Sequence, residues 1–340
     1  MKTIVLETPG EFRLIDTDPP GQPGPGEALV RVRRVGICGT DLHAFRGKQP
    51  FFSYPRILGH ELGVEIVALG GGTEALPLAP GDRCSVEPYL NCGHCIACRR
   101  GKTNCCASLK CLGVHTDGGM RELIVVPARK LHKSETLPLE HLALVEMLCI
   151  GAHAVRRAEP EPGEVALVIG AGPIGLATIQ AAQFMGAKVI VMEVSRRRMA
   201  FCREQLGVEQ FIDATQEPLP QLQALLGPDL PTLVFDATGN AASMMNAFNY
   251  VAPGGKLIFV GLFQGEVTFH DPDFHRLELT LMSSRNATAA DFAWVIQMLE
   301  SGRINVEPWI THQASPEALL TEFSSWLDPE TGVIKAMLVL

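Results

Sequence analysis

The chain has 340 residues, of which 46% are hydrophobic, and this is enough apolar material for two moderate cores. Its 29 Lys and Arg against 37 Asp and Glu give a net charge of −8, which argues against a nucleic-acid-binding surface. The first residues lack the apolar core of a signal peptide, and no run approaches the roughly 20 apolar residues of a membrane helix. We therefore expect a cytoplasmic protein with a small-molecule substrate and neither a nucleic-acid nor a membrane partner.

Short β-type runs bounded by Gly and Pro dominate the first half of the chain. They cover residues 28–38, 60–70 and 120–127, with no long helix between them. This pattern predicts an antiparallel or barrel-like domain. Near residue 150 the rhythm changes to alternating strands and helices, beginning with VALVIG, PIGLATIQAAQFMG and AKVIVME. Such alternation predicts an α/β domain, a doubly wound parallel sheet with helices on both faces.

The alternation continues to the strand-like runs at 233–239 and 256–262, with AASMMNAFNYVAPGG between them as a predicted helix. After about residue 290, two amphipathic helical segments and the strand-like run KAMLVL follow. Periodicity alone does not assign this tail to either domain.

A glycine-rich turn follows the first strand of the alternating half. Gly170, Gly172 and Gly175 have G-x-G-x-x-G spacing between a predicted strand and a predicted helix. The first glycine permits a tight turn, the second lets backbone approach a pyrophosphate, and the third allows close packing of helix and strand. The turn therefore predicts a dinucleotide site, although a structural βαβ unit without cofactor is the alternative.

Glu193 ends the next predicted strand, where a carboxylate accepts hydrogen bonds from the adenosine ribose hydroxyls. This position favours NAD, because a 2′-phosphate would meet its negative charge. The arginines at 196–198 follow directly and offer a phosphate partner, so NADP stays open as the alternative.

A second pattern is the run NCGHCIACRRGKTNCC, which carries Cys92, Cys95, Cys98, Cys105 and Cys106. Three thiolates at two-residue intervals and a fourth after a short loop predict a tetrahedral, closed and therefore structural zinc site. Spacing does not choose between Cys105 and Cys106. Disulfides or a redox C-x-x-C pair are weaker explanations, because the expected compartment is reducing and the motif has more than two cysteines.

A scattered set of donors comprises Cys38, His60, Glu61 and Glu146. Mixed sulfur, nitrogen and oxygen ligands suit a catalytic zinc, which keeps a position open for substrate. Taken singly, each residue has an ordinary structural explanation, as a small buried hydrophobe, a hydrogen-bonded histidine or a surface acid. Chemistry alone does not connect them.

The motifs GICGTDLH, LGHE, GDRC, the four-cysteine loop, GGMRELIVVP, GAGPIGL and DATG occur in one order along nearly the whole chain. In this order they resemble the zinc-containing medium-chain dehydrogenases, the family of alcohol, sorbitol and threonine dehydrogenases. The resemblance implies a GroES-like β-barrel catalytic domain from residues 1–150, completed by 288–340, and a Rossmann NAD-binding domain at 151–287. It also implies two zinc ions per chain, Cys106 as the fourth structural ligand, and a homodimer or homotetramer.

The resemblance further implies that Cys38 and His60 bind the catalytic zinc. Glu61 and Glu146 match acids that bind it directly or through water in sorbitol-dehydrogenase-like members, although the neighbouring Cys149 leaves the second position open. Thr40 and His43 match the relay that carries the alcohol proton towards solvent. Cofactor contacts are expected from the glycine turn and from Pro173, Ile174, Glu193, Arg198, Thr238, Val260, Gly261 and Leu262.

The stretches KQPFFSYPRILGHE, GVHTDGG, VGLFQGEVTF and SSRNAT are similar to sugar-acid members of the L-galactonate and L-gulonate 5-dehydrogenase type. We therefore expect oxidation of a sugar acid at C5, with hydride transfer to NAD. Arg285 is the expected partner of the substrate carboxylate, although a surface or cofactor-contacting role fits it equally. Phe51 and Phe52 are either pocket walls or core residues.

Three other functions are alternatives, of which a zinc-ribbon nucleic-acid module rests only on the cysteine cluster and is disfavoured by the acidic net charge. The second is a dehydrogenase of neutral polyols such as sorbitol, although Ala44 stands where sorbitol dehydrogenases carry a tyrosine near the substrate. The third is a scaffold that binds NAD and zinc without catalysis, which the intact set of catalytic ligands argues against.

Overall fold

A computed structural model describes residues 1–49 and 52–340. Its strands are β1 (Lys2–Thr8), β2 (Glu11–Asp16), β3 (Glu27–Ile37), β4 (Glu61–Leu69), β5 (Arg83–Val86), β6 (Tyr89–Leu90), β7 (Lys110–Cys111), β8 (Leu123–Pro127), β9 (Leu131–Lys133), β10 (Val165–Ile169), β11 (Lys188–Glu193), β12 (Gln210–Asp213), β13 (Leu233–Asp236), β14 (Lys256–Phe259), β15 (Thr280–Ser283), β16 (Ile310–Ala314) and β17 (Lys335–Val339). Its α-helices are α1 (Gly39–Phe45), α2 (Ile96–Arg99), α3 (Leu139–Ala158), α4 (Pro173–Phe184), α5 (Arg196–Leu206), α6 (Pro218–Leu226), α7 (Ala241–Asn246), α8 (Asp271–Arg276), α9 (Ala289–Glu300) and α10 (Pro316–Glu322).

The chain divides into two compact units. The first comprises Met1–Glu146 and Thr288–Leu340, and the second comprises Met147–Ala287. Both this division and the predicted boundary after residue 150 fall inside α3. Most side chains of α3 are buried, so its sequence lacks the alternation of apolar and polar faces that announces a surface helix, and the sequence analysis does not predict it.

The first unit is built on a seven-stranded sheet whose centre is the long strand β3. One edge of β3 pairs with β8 along its first half and with β17 along its second, and β4 pairs with its other edge, all antiparallel. Strand β17 thereby brings the end of the chain back to the first unit, a placement that periodicity did not decide. Alternate side chains of these strands fill the core of the unit, among them Val30, Val32, Val35, Leu62 and Val64.

The second unit contains a six-stranded parallel sheet in the order β12-β11-β10-β13-β14-β15. This order has a switch point between β10 and β13, where successive crossovers run to opposite sides, as in the Rossmann fold. The predicted parallel sheet is therefore confirmed. One detail differs, because the predicted helix AASMMNAFNYVAPGG is only α7 followed by a 3₁₀ turn over Ala247–Tyr250.

Candidate active site and metal centres

The four-cysteine loop gathers its sulfurs at one point. The Sγ atoms of Cys92, Cys95, Cys98 and Cys106 lie within 4.8 Å of one another. Cys105, by contrast, is exposed and lies outside this group. Four sulfurs around one point are the donor set of a structural zinc, and they leave no position for substrate.

Backbone amides donate hydrogen bonds to sulfurs of this loop and favour the thiolate at Cys92 and Cys95, whose pKa values they lower. The amide of Cys92 donates to Cys106 Sγ at 3.2 Å, and the amide of Cys95 donates to Cys92 Sγ at 3.4 Å. Hydrogen bonds from the backbone of Ala107 and Cys98 lower the pKa of the Cys95 thiol to about 6. Because thiolates are the form that binds zinc, the loop fits this metal.

A second donor group lies where β3 and β4 meet. Ligand atoms of Cys38, His60 and Glu61 lie within 4.8 Å of one another. Cys38 follows β3 and is the N-cap of α1, while His60 and Glu61 stand at the start of β4. The antiparallel register pairs Gly36 with Glu61, so the β3–β4 ladder is what brings the donors together.

Asp41 stands behind His60. It is fully buried, its Oδ1 lies 3.9 Å from His60 Nδ1, and its Oδ2 accepts a hydrogen bond of 2.9 Å from the Cys38 amide. Burial opposes a positive charge on His60, but the negative charges of Cys38 and Asp41 outweigh it and raise the pKa of His60 well above its ordinary value. The negative charges that favour a proton on His60 also favour a metal cation beside it.

Glu61 has a partner that the sequence analysis missed. The Nζ of Lys335 lies 2.8 and 2.7 Å from the two carboxylate oxygens of Glu61 and 3.1 Å from the carbonyl oxygen of Ile37. Burial favours a neutral amine, yet the charges of Glu61 and Cys38 raise the pKa of Lys335. A lysine at the head of the apolar run KAMLVL was a usable signal, because a fully buried lysine needs a partner.

Glu146 lies on α3 outside the tight donor group, and its carboxylate is buried. Tyr89 donates a hydrogen bond from its hydroxyl to Glu146 Oε1. Burial raises the pKa of Glu146, and the charge of Glu61 adds to this effect while that of His60 opposes it. Cys149, the alternative donor nearby, is fully buried and is in neither donor group of the described residues.

The two predicted relay residues lie on α1, directly after Cys38. Thr40 is partly buried and His43 is exposed. Their spacing of three residues places them on one side of the helix. Ala44, on the same helix, is fully buried.

The glycine turn of the second unit shows why two of its three glycines are required. Gly170 has φ +90°, which side-chain-bearing residues rarely adopt, and a Cβ at Gly175 would overlap the carbonyl oxygen of Gly170. Gly172 is the N-cap of α4, whose first residues are Pro173 and Ile174. The turn lies at the switch point, and Thr238 after β13 is its neighbour there.

Glu193 has backbone partners that the sequence analysis did not predict. Its Oε2 accepts a hydrogen bond of 2.6 Å from the Ala171 amide, and its Oε1 accepts bonds of 2.8 and 3.0 Å from the amides of Val194 and Ser195. The carboxylate is buried and ties the glycine turn to the end of β11, and Arg198 Nη1 lies 3.9 Å from it. It therefore shapes the turn whatever else it binds.

The remaining predicted cofactor residues lie at the carboxyl ends of β13 and β14. Buried Asp236 accepts hydrogen bonds from the amide and the hydroxyl of Thr238 at 2.9 and 2.6 Å. The amides of Val260 and Gly261 both donate to its carbonyl oxygen at 2.9 Å. Leu262 is 82% exposed. Sequence analysis did not predict the ordering role of Asp236.

Of the three remaining predicted residues, the structure describes two. Arg285 is exposed in the segment after β15. Phe52 is partly buried and packs against Tyr54, with ring centroids 6.0 Å apart, while Phe51 lies outside the described residues.

A mixed-ligand metal site, a closed four-thiolate site and a Rossmann sheet with a dinucleotide turn define the class of zinc- and nicotinamide-dependent dehydrogenases. The chain belongs to the zinc-containing medium-chain dehydrogenase family. Residues 24–137 match the model of the alcohol dehydrogenase GroES-like domain, and residues 173–301 match that of the zinc-binding dehydrogenase. The predicted family, fold class and oxidoreductase activity are thereby confirmed.

Individual relatives span the whole chain. L-galactonate-5-dehydrogenase of Escherichia coli K12 is 43% identical over 322 residues, covering 95% of this chain and 94% of that protein. The crystal structure of rspB from E. coli CFT073, an alcohol dehydrogenase complexed with NADH, has a TM-score of 0.92 at 33% identity and covers 100% of this chain and 99% of its own. Galactitol-1-phosphate dehydrogenase of E. coli has a TM-score of 0.91 at 28% identity, with 100% of both chains covered.

Within the described residues, none of the helices has both the length and the apolar character needed to cross a bilayer.

Proposed function

We propose that this chain is an NAD-dependent dehydrogenase of a sugar acid of the L-galactonate or L-gulonate type, with oxidation at C5. The observation that carries the chemistry is the group of partly buried Cys38 with buried His60 and Glu61, whose ligand atoms lie within 4.8 Å of one another. The substrate class is supported by the relative with 43% identity that acts on L-galactonate. A substrate is not fixed by fold, so it needs its own test.

Cys38 and His60, with Glu61 and Glu146 directly or through water, would hold the catalytic zinc. When bound, zinc supplies a Lewis acid that lowers the pKa of the substrate hydroxyl. Beside it, the carboxylate of Asp41 lies 3.9 Å from His60 Nδ1, too far for a hydrogen bond, and supplies negative charge behind the imidazole. Lys335 balances the charge of Glu61, and Tyr89 fixes Glu146.

The alcohol proton leaves through groups on α1 in this proposal. Thr40 stands two residues from Cys38, and exposed His43 stands one turn further towards solvent. A hydroxyl followed by an imidazole is suited to pass a proton outwards, because both accept and donate.

NAD is the proposed coenzyme, with the glycine turn as its pyrophosphate site and Glu193, Arg198, Thr238 and the segment Val260 to Leu262 around it. A Cβ on Gly172 would have only Arg198 Nη1 within 4 Å, at 3.9 Å, which suits a close phosphate approach beside a cationic group. The negative charge of Glu193 favours NAD over NADP. Comparison of kcat/KM with the two coenzymes tests this, and an equal or higher value with NADP would contradict it.

The structural zinc would be held by Cys92, Cys95, Cys98 and Cys106, giving two zinc ions per chain. We also propose a cytoplasmic homodimer or homotetramer. Strand β15 supports self-association, because it is an edge strand whose residues are largely exposed, including Leu281. Light scattering of the purified protein tests this, and a monomer would contradict it.

The chemistry is tested by Cys38→Ser, with zinc content and turnover measured on the same sample. Loss of the Lewis acid removes several kcal/mol of transition-state stabilisation, so we expect kcat/KM to fall by about a hundredfold or more. Zinc should fall from two equivalents to one. Full turnover with one zinc would refute the scheme. Exposed Cys105→Ser is the matched control.

The substrate is tested with a panel of L-galactonate, L-gulonate, galactitol and sorbitol, following NADH absorbance. Higher kcat/KM on the sugar acids supports the proposal, and higher kcat/KM on the polyols contradicts it. Arg285→Ala tests the carboxylate role of that residue. If the variant keeps its efficiency on sugar acids, that role is wrong.

A further inference from the structure

A cationic pocket of the first unit has no role in the site as described so far. It has a volume of about 620 Å³, and its lining includes Arg56, Lys110 and His115 with the hydroxyls of Ser53 and Ser108. Its described lining contains no carboxylate. The pocket therefore presents positive charge and hydrogen-bond donors in a protein whose net charge is −8.

The two chain segments that line this pocket are both connected to the proposed catalytic ligands, Cys38, His60 and Glu61. On one side, Arg56 begins the segment that reaches His60. Backbone pairing holds that segment, because the amides of Gly118 and Met120 donate to Ile57 and Leu58 at 2.8 and 2.9 Å.

On the other side, Lys110 precedes Cys111 in β7. Just past Cys111, the same segment packs against the residue before His60, because a Cβ on Gly113 would lie 2.8 Å from the backbone nitrogen of Gly59. On both sides, only a few residues of the same unit therefore separate the lining of the pocket from His60.

The hydrogen bonds of Arg56 are incomplete within the described residues. Its Nη2 donates to Ser53 Oγ at 2.7 Å and its Nη1 to Asp117 Oδ1 at 3.3 Å, while its buried Nε has no acceptor. The side chain of Arg56 is only 15% exposed, but that of Asp117 is 48% exposed, so solvent weakens their attraction. Because each Nη group carries two hydrogens and donates one of them in these two bonds, the guanidinium retains Nη donors for an anion.

His115 and Lys110 supply further donors. The Cys111 amide donates to His115 Nδ1 at 3.1 Å, so the neutral imidazole carries its proton on Nε2. Lys110 is exposed at the pocket and brings an ammonium group on a long flexible stem. Guanidinium, ammonium and imidazole together match a carboxylate, which accepts several hydrogen bonds at once.

We propose that this pocket binds the carboxylate of the substrate, with Arg56 and Lys110 as the residues that distinguish a sugar acid from a neutral polyol. The inference rests on the proposed function, because a polyol has no group for the pocket to bind. In a sugar acid oxidised at C5, the carboxylate is at the other end of the carbon chain from the reacting carbinol. One end then lies at the donors and the other in the pocket.

The test compares L-galactonate with galactitol, which has the same carbon chain without the carboxylate. In Arg56→Gln and in Lys110→Gln we expect kcat/KM for L-galactonate to fall about ten- to a hundredfold through KM, and kcat/KM for galactitol to stay unchanged. Raising the salt concentration should increase KM for L-galactonate in the native enzyme and less in the variants. Arg13→Gln and Lys188→Gln, which replace exposed cations outside the pocket, are the matched controls.

The possible outcomes distinguish a failure of the pocket proposal from a failure of the proposed function. An equal loss of kcat/KM on both substrates, or an unchanged KM for L-galactonate in both variants, would overturn the proposal that the pocket binds the carboxylate. If only Arg285→Ala raises that KM, the pocket is wrong and the proposed function stands. If the native enzyme oxidises galactitol 1-phosphate instead, and Arg56→Gln impairs this, the pocket binds a phosphate and the proposed substrate is wrong. Oxidation of neutral polyols alone would refute both.

Folding of the variants is controlled independently. Zinc content and the thermal midpoint are measured for Arg56→Gln, because Arg56 also contacts Ser53 and Asp117. Lys110 is exposed, so its variant tests the pocket even where Arg56→Gln loses stability.

Discussion

The two metal-binding clusters of the first unit reach their geometry in opposite ways. The four-thiolate cluster comes from one short stretch, most of its cysteines are partly exposed, and backbone amides orient its sulfurs. The group of Cys38, His60 and Glu61 is assembled by the pairing of β3 with β4 and is more deeply buried. Its charges are balanced by Asp41 and Lys335, which lie close to it in the fold.

The difference teaches what each site needs from the fold. A closed site of like ligands needs only a loop that turns back on itself, because the metal supplies the cohesion. A buried site with an open position needs surrounding charges, since an unbalanced charge in the interior is costly. Substitutions in the two clusters are therefore expected to affect different properties.

The largest effect is expected at the buried ion pair. Lys335→Met leaves Glu61 without its partner, so the free energy of unfolding should fall by about 3–5 kcal/mol in a urea titration. Lys2→Met is the matched control, because its pair with Glu317 is 51% and 56% exposed and solvent weakens it, so its loss should leave the urea midpoint nearly unchanged. Equal effects of the two substitutions would mean that the pairing of Lys335 with Glu61 does not stabilise the fold.

The next effect concerns the closed cluster. Cys106→Ser removes one thiolate, so the stabilisation by the structural zinc should fall by on the order of 3 kcal/mol, about a quarter of what four ligands contribute. Zinc analysis should show about one equivalent fewer. Retention of both ions would contradict the ligand set.

A smaller effect is expected behind the open site. Asp41→Asn keeps the size of the side chain but removes the charge beside His60, so affinity for the catalytic zinc should fall about ten- to a hundredfold in a chelator competition. The structural zinc should be unaffected. Asp291→Asn is the matched control, since Asp291 is also a buried capping-box residue, on α9. If both variants bind zinc like the native protein, Asp41 does not act on the metal.

The smallest effect is expected at Cys105, the exposed neighbour of the closed cluster. Cys105→Ser should change the free energy of unfolding by no more than about 0.5 kcal/mol and leave both zinc ions bound. Loss of zinc in this variant would instead make Cys105 the fourth ligand.

The sites that could be predicted from sequence are those that come from one short stretch of chain, and those assembled from separate elements could not. The glycine turn and the four-cysteine run are local patterns, in which a few residues determine the geometry. Cys38, His60, Glu61 and Glu146 were connected only through a family resemblance, because no local rule joins residues on separate elements. Asp41, Tyr89 and Lys335 were missed, since their roles depend on which charges are buried beside them.

Glu193 shows a further limit. Its place at the end of β11 was predicted, but its three hydrogen bonds to backbone amides were not. An acid after a strand has several acceptors to fill, and sequence does not say which donors reach it.

The sequence by itself determined the class of fold, the dinucleotide turn and the cysteines from which the closed cluster is built, because each depends on neighbours within a short stretch of chain. Spacing left two adjacent cysteines open, and Cys106 was selected by the family resemblance before the structure grouped it with the other three sulfurs. The tertiary structure alone decided that Lys335 pairs with Glu61. It also placed Arg56 and Lys110 in one pocket. These contacts depend on strand register and burial. Register brings distant residues together, and burial strengthens the interactions between their charges.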